Sequence, residues 1–134
     1  MKLLLDTHMA IWAFTDSDAL PQRARQLLLD GGNTVCCSVA SVWEVQIKHA
    51  SHPGNLPLTP QRFIECCKAS RFERLAIAER HVLMLDSLRR APGAAPHKDP
   101  FDRLLVCQAK ADGLVLLTHD AKLSGYDEPC VLVV

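Results

Sequence analysis

The chain has 134 residues, with fifteen basic and fifteen acidic side chains, so its formal net charge at pH 7 is zero. Its length is typical of one domain, and we expect residues 1–134 to form a single domain. Because 49% of the residues are apolar and only 22% are charged, the composition excludes a disordered chain. It also excludes the broad positive field of a general nucleic-acid binder, so any attraction for a polyanion must come from local basic residues or a bound cation.

The sequence contains neither a membrane-spanning segment nor a recognisable signal peptide. No apolar run reaches the ~20 residues that cross a bilayer, and the three leucines after Lys2 are interrupted by Asp6. We therefore expect a cytoplasmic protein that does not contact a membrane. The six cysteines include two adjacent pairs and no Cys-x-x-Cys motif, which favours small buried hydrophobic residues over disulfides or a zinc site.

Short apolar runs alternate with helical patterns along the chain. In chain order the pattern predicts a strand at residues 3–5, helices at 8–14 and 21–29, a strand at 34–37, a helix capped by Ser38 and ending near Ala50, a helix at 61–70, a short strand at 72–77, a helix at 79–88, a flexible connection at 89–98, a helix at 100–112, a strand at 114–117, a turn or short helix at 120–124 and a strand at 131–134. Pro21 and Pro100 fit first helical positions, Asp99 fits a cap, and Gly113 fits a stop. The alternation predicts a mainly parallel sheet covered on both faces, an α/β/α sandwich.

Four acids stand where such a fold builds its site. Asp6 closes the first strand, Glu44 interrupts an apolar helix, Asp102 opens the helix that begins at residue 100, and Asp120 follows the fourth strand. In open α/β sheets, sites form outside the carboxyl ends of the strands. Carboxylates gathered there repel one another unless a cation lies among them, and hard oxygen ligands suit Mg²⁺ or Mn²⁺. The pattern therefore favours a metal-dependent chemistry on phosphate.

Each acid also has a structural interpretation. Asp6 could cap the following helix, and Asp102 could stabilise the first turn of its own helix. Glu44 could pair with Lys48 four residues on, a contact worth roughly 0.2–0.5 kcal/mol on a helix surface. Asp120 could begin a turn. For Glu44 and Asp120 taken alone the structural interpretation is the more common one, so the joint placement of the four acids carries the metal hypothesis.

Four segments of the chain resemble the PIN-domain family, and within it the VapC-type toxins of bacterial toxin–antitoxin pairs. They are residues 3–8 (LLLDTH), 38–44 (SVASVWE), 97–105 (HKDPFDRLL, followed by a Gln-Ala pair at 108–109) and 117–120 (LTHD). The third segment is highly specific. All four occur in order at suitable separations, so the resemblance covers nearly the whole chain.

The resemblance implies a small PIN-like α/β/α domain with magnesium- or manganese-dependent endoribonuclease activity, a homodimer and a cognate VapB-type antitoxin. The family's acidic quartet carries over to Asp6, Glu44, Asp102 and Asp120, with Thr118 as a lesser polar contributor. The resulting hypothesis is hydrolysis of an RNA phosphodiester bond. Asp6 and Asp102 make the main metal contacts, directly or through water, while Glu44 and Asp120 complete the charge and orient water. His97 and His119 could contact the substrate.

Three alternatives differ in the residues they require. A phosphorylation-dependent receiver domain also binds magnesium among acids, but it needs adjacent acids after the first strand, where this chain has only Asp6. An enzyme of the haloacid-dehalogenase type needs Asp-x-Asp there, whereas residues 6–8 are Asp-Thr-His. A pure interaction protein would place Trp12, Phe14, Trp43 and Phe63 on a partner surface, although core packing explains most of these residues better.

Overall fold

The computed structural model describes all 134 residues and contains a five-stranded parallel sheet. The strands are β1 (Lys2–Leu5), β2 (Thr34–Ser38), β3 (Glu73–Leu75), β4 (Val115–Thr118) and β5 (Val131–Val133). The helices are α1 (Thr7–Phe14), α2 (Gln22–Leu29), α3 (Val39–Ser51), α4 (Pro60–Ala69), α5 (Glu79–Leu83) and α6 (Pro100–Asp112), with 3-10 turns at Met84–Ser87 and Ala121–Gly125. The strand order is β3-β2-β1-β4-β5, which confirms the predicted α/β class.

Successive residues of β1 supply the two hydrophobic cores. Leu3 and Leu5 join one core and Leu4 joins the other, as expected for a strand buried on both faces. The first core includes residues of α1, α2 and α4, and the second includes residues of α6. Helices therefore cover both faces of the sheet, which confirms the predicted three-layer sandwich. None of the helices combines the length and apolar character that crossing a membrane requires.

The aromatic residues divide between core and surface. Phe63 is fully buried, and Trp12 and Phe14 pack against the same core. Trp43 differs, because 52% of its surface is exposed, and its ring centre lies 4.9 Å from that of Phe101 with the two planes nearly perpendicular. Core packing therefore does not account for Trp43. All six cysteines are free thiols, and four of them are buried.

The segment predicted as one helix at 79–88 is instead α5 followed by a 3-10 turn. Its start is fixed by the buried side chain of His81, whose Nδ1 accepts the Ala78 N–H at 3.0 Å. The Nε2 atom then donates to Asp112 Oδ2 at 3.0 Å. Arg80 also binds Asp112, and chiefly this contact lowers the pKa of Asp112 to about 2. Tertiary contacts with α6, which local periodicity cannot reveal, thus determine this element.

The connection at 89–98, expected to be flexible, is held by side-chain contacts. The guanidinium of Arg90 lies 4.6 Å from the ring centre of Tyr126 and donates to the Ala95 carbonyl at 2.7 and 3.1 Å. The backbone of Arg90 also bridges to Tyr126. Two smaller predictions were wrong. Pro21 precedes α2 instead of opening it, and only Glu73–Leu75 of the predicted strand at 72–77 pairs with β2.

Gly113 ends α6 in the left-handed conformation, with φ at 68° and ψ at 31°. A Cβ is disfavoured there, so we expect Gly113→Ala to lower the free energy of unfolding by about 1 kcal/mol. Gly31→Ala is the matched control, since Gly31 has open space around it and no positive φ. Urea unfolding of both variants checks the difference. Equal midpoints would contradict the capping role of Gly113.

Candidate active site

The ends of β1 and β4 place Asp6 beside Thr118 at the centre of the sheet. Leu5 pairs with Leu117, and the next residue, Asp6, donates its N–H to the Leu117 carbonyl at 3.1 Å. In the sheet β1 lies between β2 and β4, and the strand order changes direction between β1 and β4. The carboxyl ends of these two strands therefore form the switch point, the place where open α/β sheets bind ligands. Thr118 Oγ1 donates to Asp6 Oδ2 at 2.5 Å, and Asp6 Oδ1 accepts the His8 N–H at 3.2 Å. Asp6 therefore caps α1 and also faces the site, the two roles considered for it.

Asp102 is positioned by the start of α6, as its sequence context predicts. Asp99 caps the helix by accepting the N–H groups of Phe101 and Asp102, and Pro100 occupies the first helical position. Only 8% of Asp102 is exposed. Its pKa is raised to about 8, first by burial and then by the charges of the neighbouring acids, which are Asp6, Asp99, Glu44 and Asp120 in decreasing order. Burial and the nearby acids thus both disfavour the charged form of Asp102.

Glu44 is buried, although it lies on a helix that has an exposed face. Only 3% of the residue is exposed, while Val39, Trp43 and Ile47 of the same helix are open to solvent. Lys48 pairs with Glu44 Oε2 at 2.6 Å, so the i, i+4 contact exists, but with a buried acid instead of the expected surface acid. The other oxygen, Oε1, is buried without any hydrogen-bond partner. Such an oxygen is costly unless a donor or a cation completes it.

His97 lies beside Asp102, in the connection before α6. Its Nδ1 is 2.8 Å from the hydroxyl oxygen of Tyr126, and its Nε2 lies 3.5 Å from Asp102 Oδ2 with no hydrogen-bond partner. Burial, followed by the charge of Arg90, lowers the pKa of His97. His97 is therefore a buried neighbour of Asp102. Sequence reasoning missed this contact because Tyr126, which orients the ring, is 29 residues away.

Asp120 connects two cavities at the carboxyl edge of the sheet. Its N–H donates to Thr118 Oγ1 at 3.1 Å, and its Oδ1 accepts the Lys122 N–H at 2.9 Å, so Asp120 also begins a turn. One cavity of about 570 Å³ is lined by acids and by three cations, with Asp99, Asp102, Asp120, Arg90, Lys98 and Lys122 among its residues. The second, of about 240 Å³, is lined by Asp6, His8, Met9, Trp12, His119 and Asp120.

Asp99, Asp102 and Asp120 line the larger cavity and Asp6 and Asp120 line the smaller one, so the two cavities form an acidic cleft with a basic wall on one side. Glu44 lines neither cavity. No three histidine, cysteine or acidic side chains lie close enough to enclose a metal ion by themselves. Burial and the neighbouring acids disfavour the negative charge of Asp102, so its carboxyl must hold a proton or meet a cation at neutral pH. The arrangement can therefore bind a cation or a protonated group between the ends of β1, β4 and α6.

Thr118 holds two residues of the site in position. Its buried hydroxyl donates a hydrogen bond to Asp6 and accepts one from the Asp120 N–H. Its hydrogen bond lowers the pKa of Asp6, against a larger rise caused by burial. We expect Thr118→Val to weaken the binding of a divalent ion about 10- to 100-fold, with little change in the fold, as measured by titration calorimetry. Thr34→Val makes the same change at the first residue of β2, at the amino end of the parallel strands and away from the site, and should leave the affinity unchanged. Equal effects of the two changes would contradict the supporting role of Thr118.

Comparisons with known proteins agree on the fold. Residues 3–129 match the family model of the PIN domain. A crystal structure of VapBC2 from Rickettsia felis bound to a promoter DNA fragment contains a similar chain, with 17% identity, a TM-score of 0.67 and coverage of 100% of this chain and 98% of that one. DNA-bound VapBC from Salmonella typhimurium gives 19% identity, a TM-score of 0.64 and coverage of 100% and 97%. A domain of a functionally unknown protein from Methanocaldococcus jannaschii gives 20% identity, a TM-score of 0.53 and coverage of 99% of this chain and 90% of that one. A search by sequence finds no match among curated proteins.

Proposed function

The chain belongs to the PIN-domain family, and from this membership and the acidic cleft we propose that it is a metal-dependent endoribonuclease, the toxin of a toxin–antitoxin pair. One observation carries the proposal. The buried Asp102 lines one cavity together with Asp120, and Asp120 and Asp6 line the adjoining one, although the three residues come from separate elements of the chain. Acids that converge in this way at a sheet's switch point form a site for a divalent cation, which recruits the phosphate that the acids would otherwise repel.

The residues present fit Mg²⁺ or Mn²⁺. Their donors are hard carboxylate oxygens, and the buried Glu44 Oε1 lacks any other partner. We assign the main contacts to Asp6 and Asp102, directly or through water, with Glu44 and Asp120 completing the charge. Mg²⁺ usually keeps several of its waters, so it suits a cleft that offers few direct ligands. When bound, such an ion polarises a phosphoryl oxygen and lowers the pKa of its water, which makes that water a nucleophile at neutral pH.

The chain's own side chains then have separate tasks. Thr118 and the His8 N–H hold both oxygens of Asp6 in place, so this carboxylate cannot rotate away from the cleft. The Asp99 cap fixes the N-terminal turn of α6 and with it the position of Asp102. Lys98 and Lys122 line the larger cavity, where they offset the repulsion between the acids and an incoming RNA backbone. Asp120 and Glu44 accept hydrogen bonds from water near the phosphate and orient it for attack.

The remaining parts of the proposal rest on the resemblance and on the neighbouring structures. Two of these neighbours are VapBC complexes, which supports a cognate VapB-type antitoxin as the partner of this chain. The family further implies a homodimer in the cytoplasm. The receiver-domain alternative lacks structural support, since flavodoxin-like receivers have the strand order 2-1-3-4-5, whereas this sheet has the order 3-2-1-4-5.

An RNA-cleavage assay with purified protein tests this function. We expect cleavage of end-labelled single-stranded RNA in Mg²⁺ or Mn²⁺, none in EDTA, and none of DNA of the same sequence. Asp86→Asn serves as a matched control for changes at the site, because Asp86 is an exposed acid outside both cavities. Cleavage that persists in EDTA, or a complete lack of cleavage across a diverse RNA pool, would contradict the proposal.

A further inference from the structure

The smaller cavity differs in character from the rest of the cleft. Three flat rings, those of His8, Trp12 and His119, surround it, and the buried Met9 lies beside them. The ring centres of Trp12 and His119 are 6.0 Å apart with the planes nearly perpendicular, and those of His8 and Trp12 are 6.3 Å apart. We refer to these four residues as the aromatic pocket. The acids of the site form its remaining wall, so whatever occupies the pocket lies next to the reacting groups.

Contacts within the chain hold several of the residues that line the aromatic pocket. The Nδ1 atom of His119 hydrogen-bonds the main-chain oxygen of Val134, next to the end of β5. Trp12 packs on the hydrophobic core through one part of its ring and lines the cavity with another. Thr118 holds the backbone of Asp120 and the carboxylate of Asp6. A ligand therefore meets a pre-formed slot and does not have to order it, which preserves binding free energy.

The chemistry of the slot selects a flat ligand that carries no negative charge. No lysine or arginine lines the slot to attract a phosphate, because Lys98, Lys122 and Arg90 line only the larger cavity on the other side of Asp120. Unpaired RNA bases stack on tryptophan and histidine rings, and the amino groups of bases donate hydrogen bonds that a carboxylate accepts. A strand crossing Asp120 would thus place its backbone on the cationic side and a base on the aromatic side.

We propose that the aromatic pocket binds one unpaired nucleobase of a single-stranded RNA, next to the phosphodiester bond that the proposed site hydrolyses. This inference rests on the proposed nuclease function and adds a specificity-determining subsite to it. Trp12 supplies the principal stacking surface, and His119 and His8 bound the slot on either side. Because a base can enter only when it is unpaired, we also expect the protein to cut single-stranded RNA in preference to double-stranded RNA.

Trp12 itself provides a signal that does not depend on cleavage. The chain has two tryptophans, so Trp43→Phe leaves Trp12 as the only indole emitter and keeps a ring against Phe101. We expect millimolar nucleoside monophosphates, in Mg²⁺, to quench this emission, and ribose 5-phosphate to leave it unchanged. Quenching by both compounds would show that the pocket responds to phosphate, and quenching by neither would show that it takes no base. Quenching by an arginine-containing peptide but by no nucleotide would assign the slot to a protein partner. Each of these three results overturns the inference.

A kinetic comparison provides the second arm. We expect Trp12→Leu, which keeps an apolar side chain against the core, to raise KM for single-stranded RNA about 5- to 100-fold with a smaller change in kcat. Trp12→Phe should restore most of the loss, because it retains a ring, and this variant also keeps the test valid if Trp12→Leu folds poorly. A KM unchanged by Trp12→Leu would overturn the inference. If the unaltered protein cuts no RNA but the mononucleotides quench Trp12, the base pocket stands and the proposed nuclease function fails.

Discussion

Replacing Asp102 with asparagine is expected to reduce RNA cleavage about 10²- to 10³-fold while making the metal-free protein more stable at pH 7. Both effects follow from one cause. Asp102 is buried among other acids, which raises its pKa to about 8. The neighbouring acids disfavour the negative charge of Asp102, yet the proposed ion and the reaction require that charge. Removing one such charged group from an active site typically lowers the rate about 10²- to 10³-fold. A residue with a purely structural role would lose activity and stability together.

The pH dependence gives the sign of the stability change. In the unfolded chain an aspartate has a pKa of about 3.9, so between that value and about 8 the folded state binds more protons at Asp102 than the unfolded state does. The favourable contribution of this carboxyl is therefore complete below about pH 4 and is lost as the pH rises toward 8. At pH 7 the loss amounts to at most about 4 kcal/mol, and Asp102→Asn removes it.

Thermal unfolding in EDTA from pH 5 to 8 measures this effect. The stability advantage of Asp102→Asn should widen as the pH rises, and added Mg²⁺ should narrow it by stabilising only the unaltered protein. Asp86→Asn, at an exposed acid, should match the unaltered protein throughout. A variant that is less stable than the unaltered protein at pH 7 in EDTA would show that Asp102 does not lie in a repulsive cluster. A variant that retains full cleavage would show that Asp102 does not serve the reaction.

Replacing Asp6 with asparagine is expected to reduce RNA cleavage by a similar factor, about 10²- to 10³-fold, with only a small change in the free energy of unfolding. Asparagine retains one side-chain oxygen, which can still accept the His8 N–H and cap α1. It loses the negative charge and the second carboxylate oxygen, to which Thr118 donates. The function at this position therefore depends on the charge, while the fold depends on the cap.

Asp6→Ala separates these two contributions. Alanine removes the cap, so we expect a further loss of about 1 kcal/mol in the free energy of unfolding, with the same loss of cleavage as Asp6→Asn. Urea unfolding and the RNA assay on both variants measure the two quantities. Full activity of a folded Asp6→Asn protein would contradict a metal or catalytic role for this residue. Equal stability of the two variants would contradict its role as a cap.

The parts of the fold that local chemistry determines could be predicted from the sequence. Asp99, Pro100 and Gly113 specify the two ends of α6 through capping and backbone preferences that act within a few residues. The apolar runs of β1 and β4 are buried on both faces, so they could be recognised without their partners. Because the carboxyl ends of parallel strands share one edge of the sheet, the proximity of Asp6 to the residues after β4 also followed from the pattern.

Features that depend on distant contacts could not be predicted in this way. Lys48 pairs with Glu44 as the helical spacing suggested, but the burial of Glu44 depends on the packing of α3 within the folded chain. His97 is oriented by Tyr126, and α5 is fixed by contacts to Asp112. The aromatic pocket joins residues at both ends of the chain, which no local window contains.

Calorimetric titration of the metal-free protein with Mn²⁺ tests most directly whether the four acids form one metal site. We expect the folded protein to take up the ion, and we expect Asp6→Asn and Asp102→Asn each to weaken that uptake strongly, since both carboxylates serve the same site. Asp86→Asn should bind the ion as the unaltered protein does. If the folded protein took up no divalent ion, or if both site variants bound it with unchanged affinity, the four acids would not form one metal site.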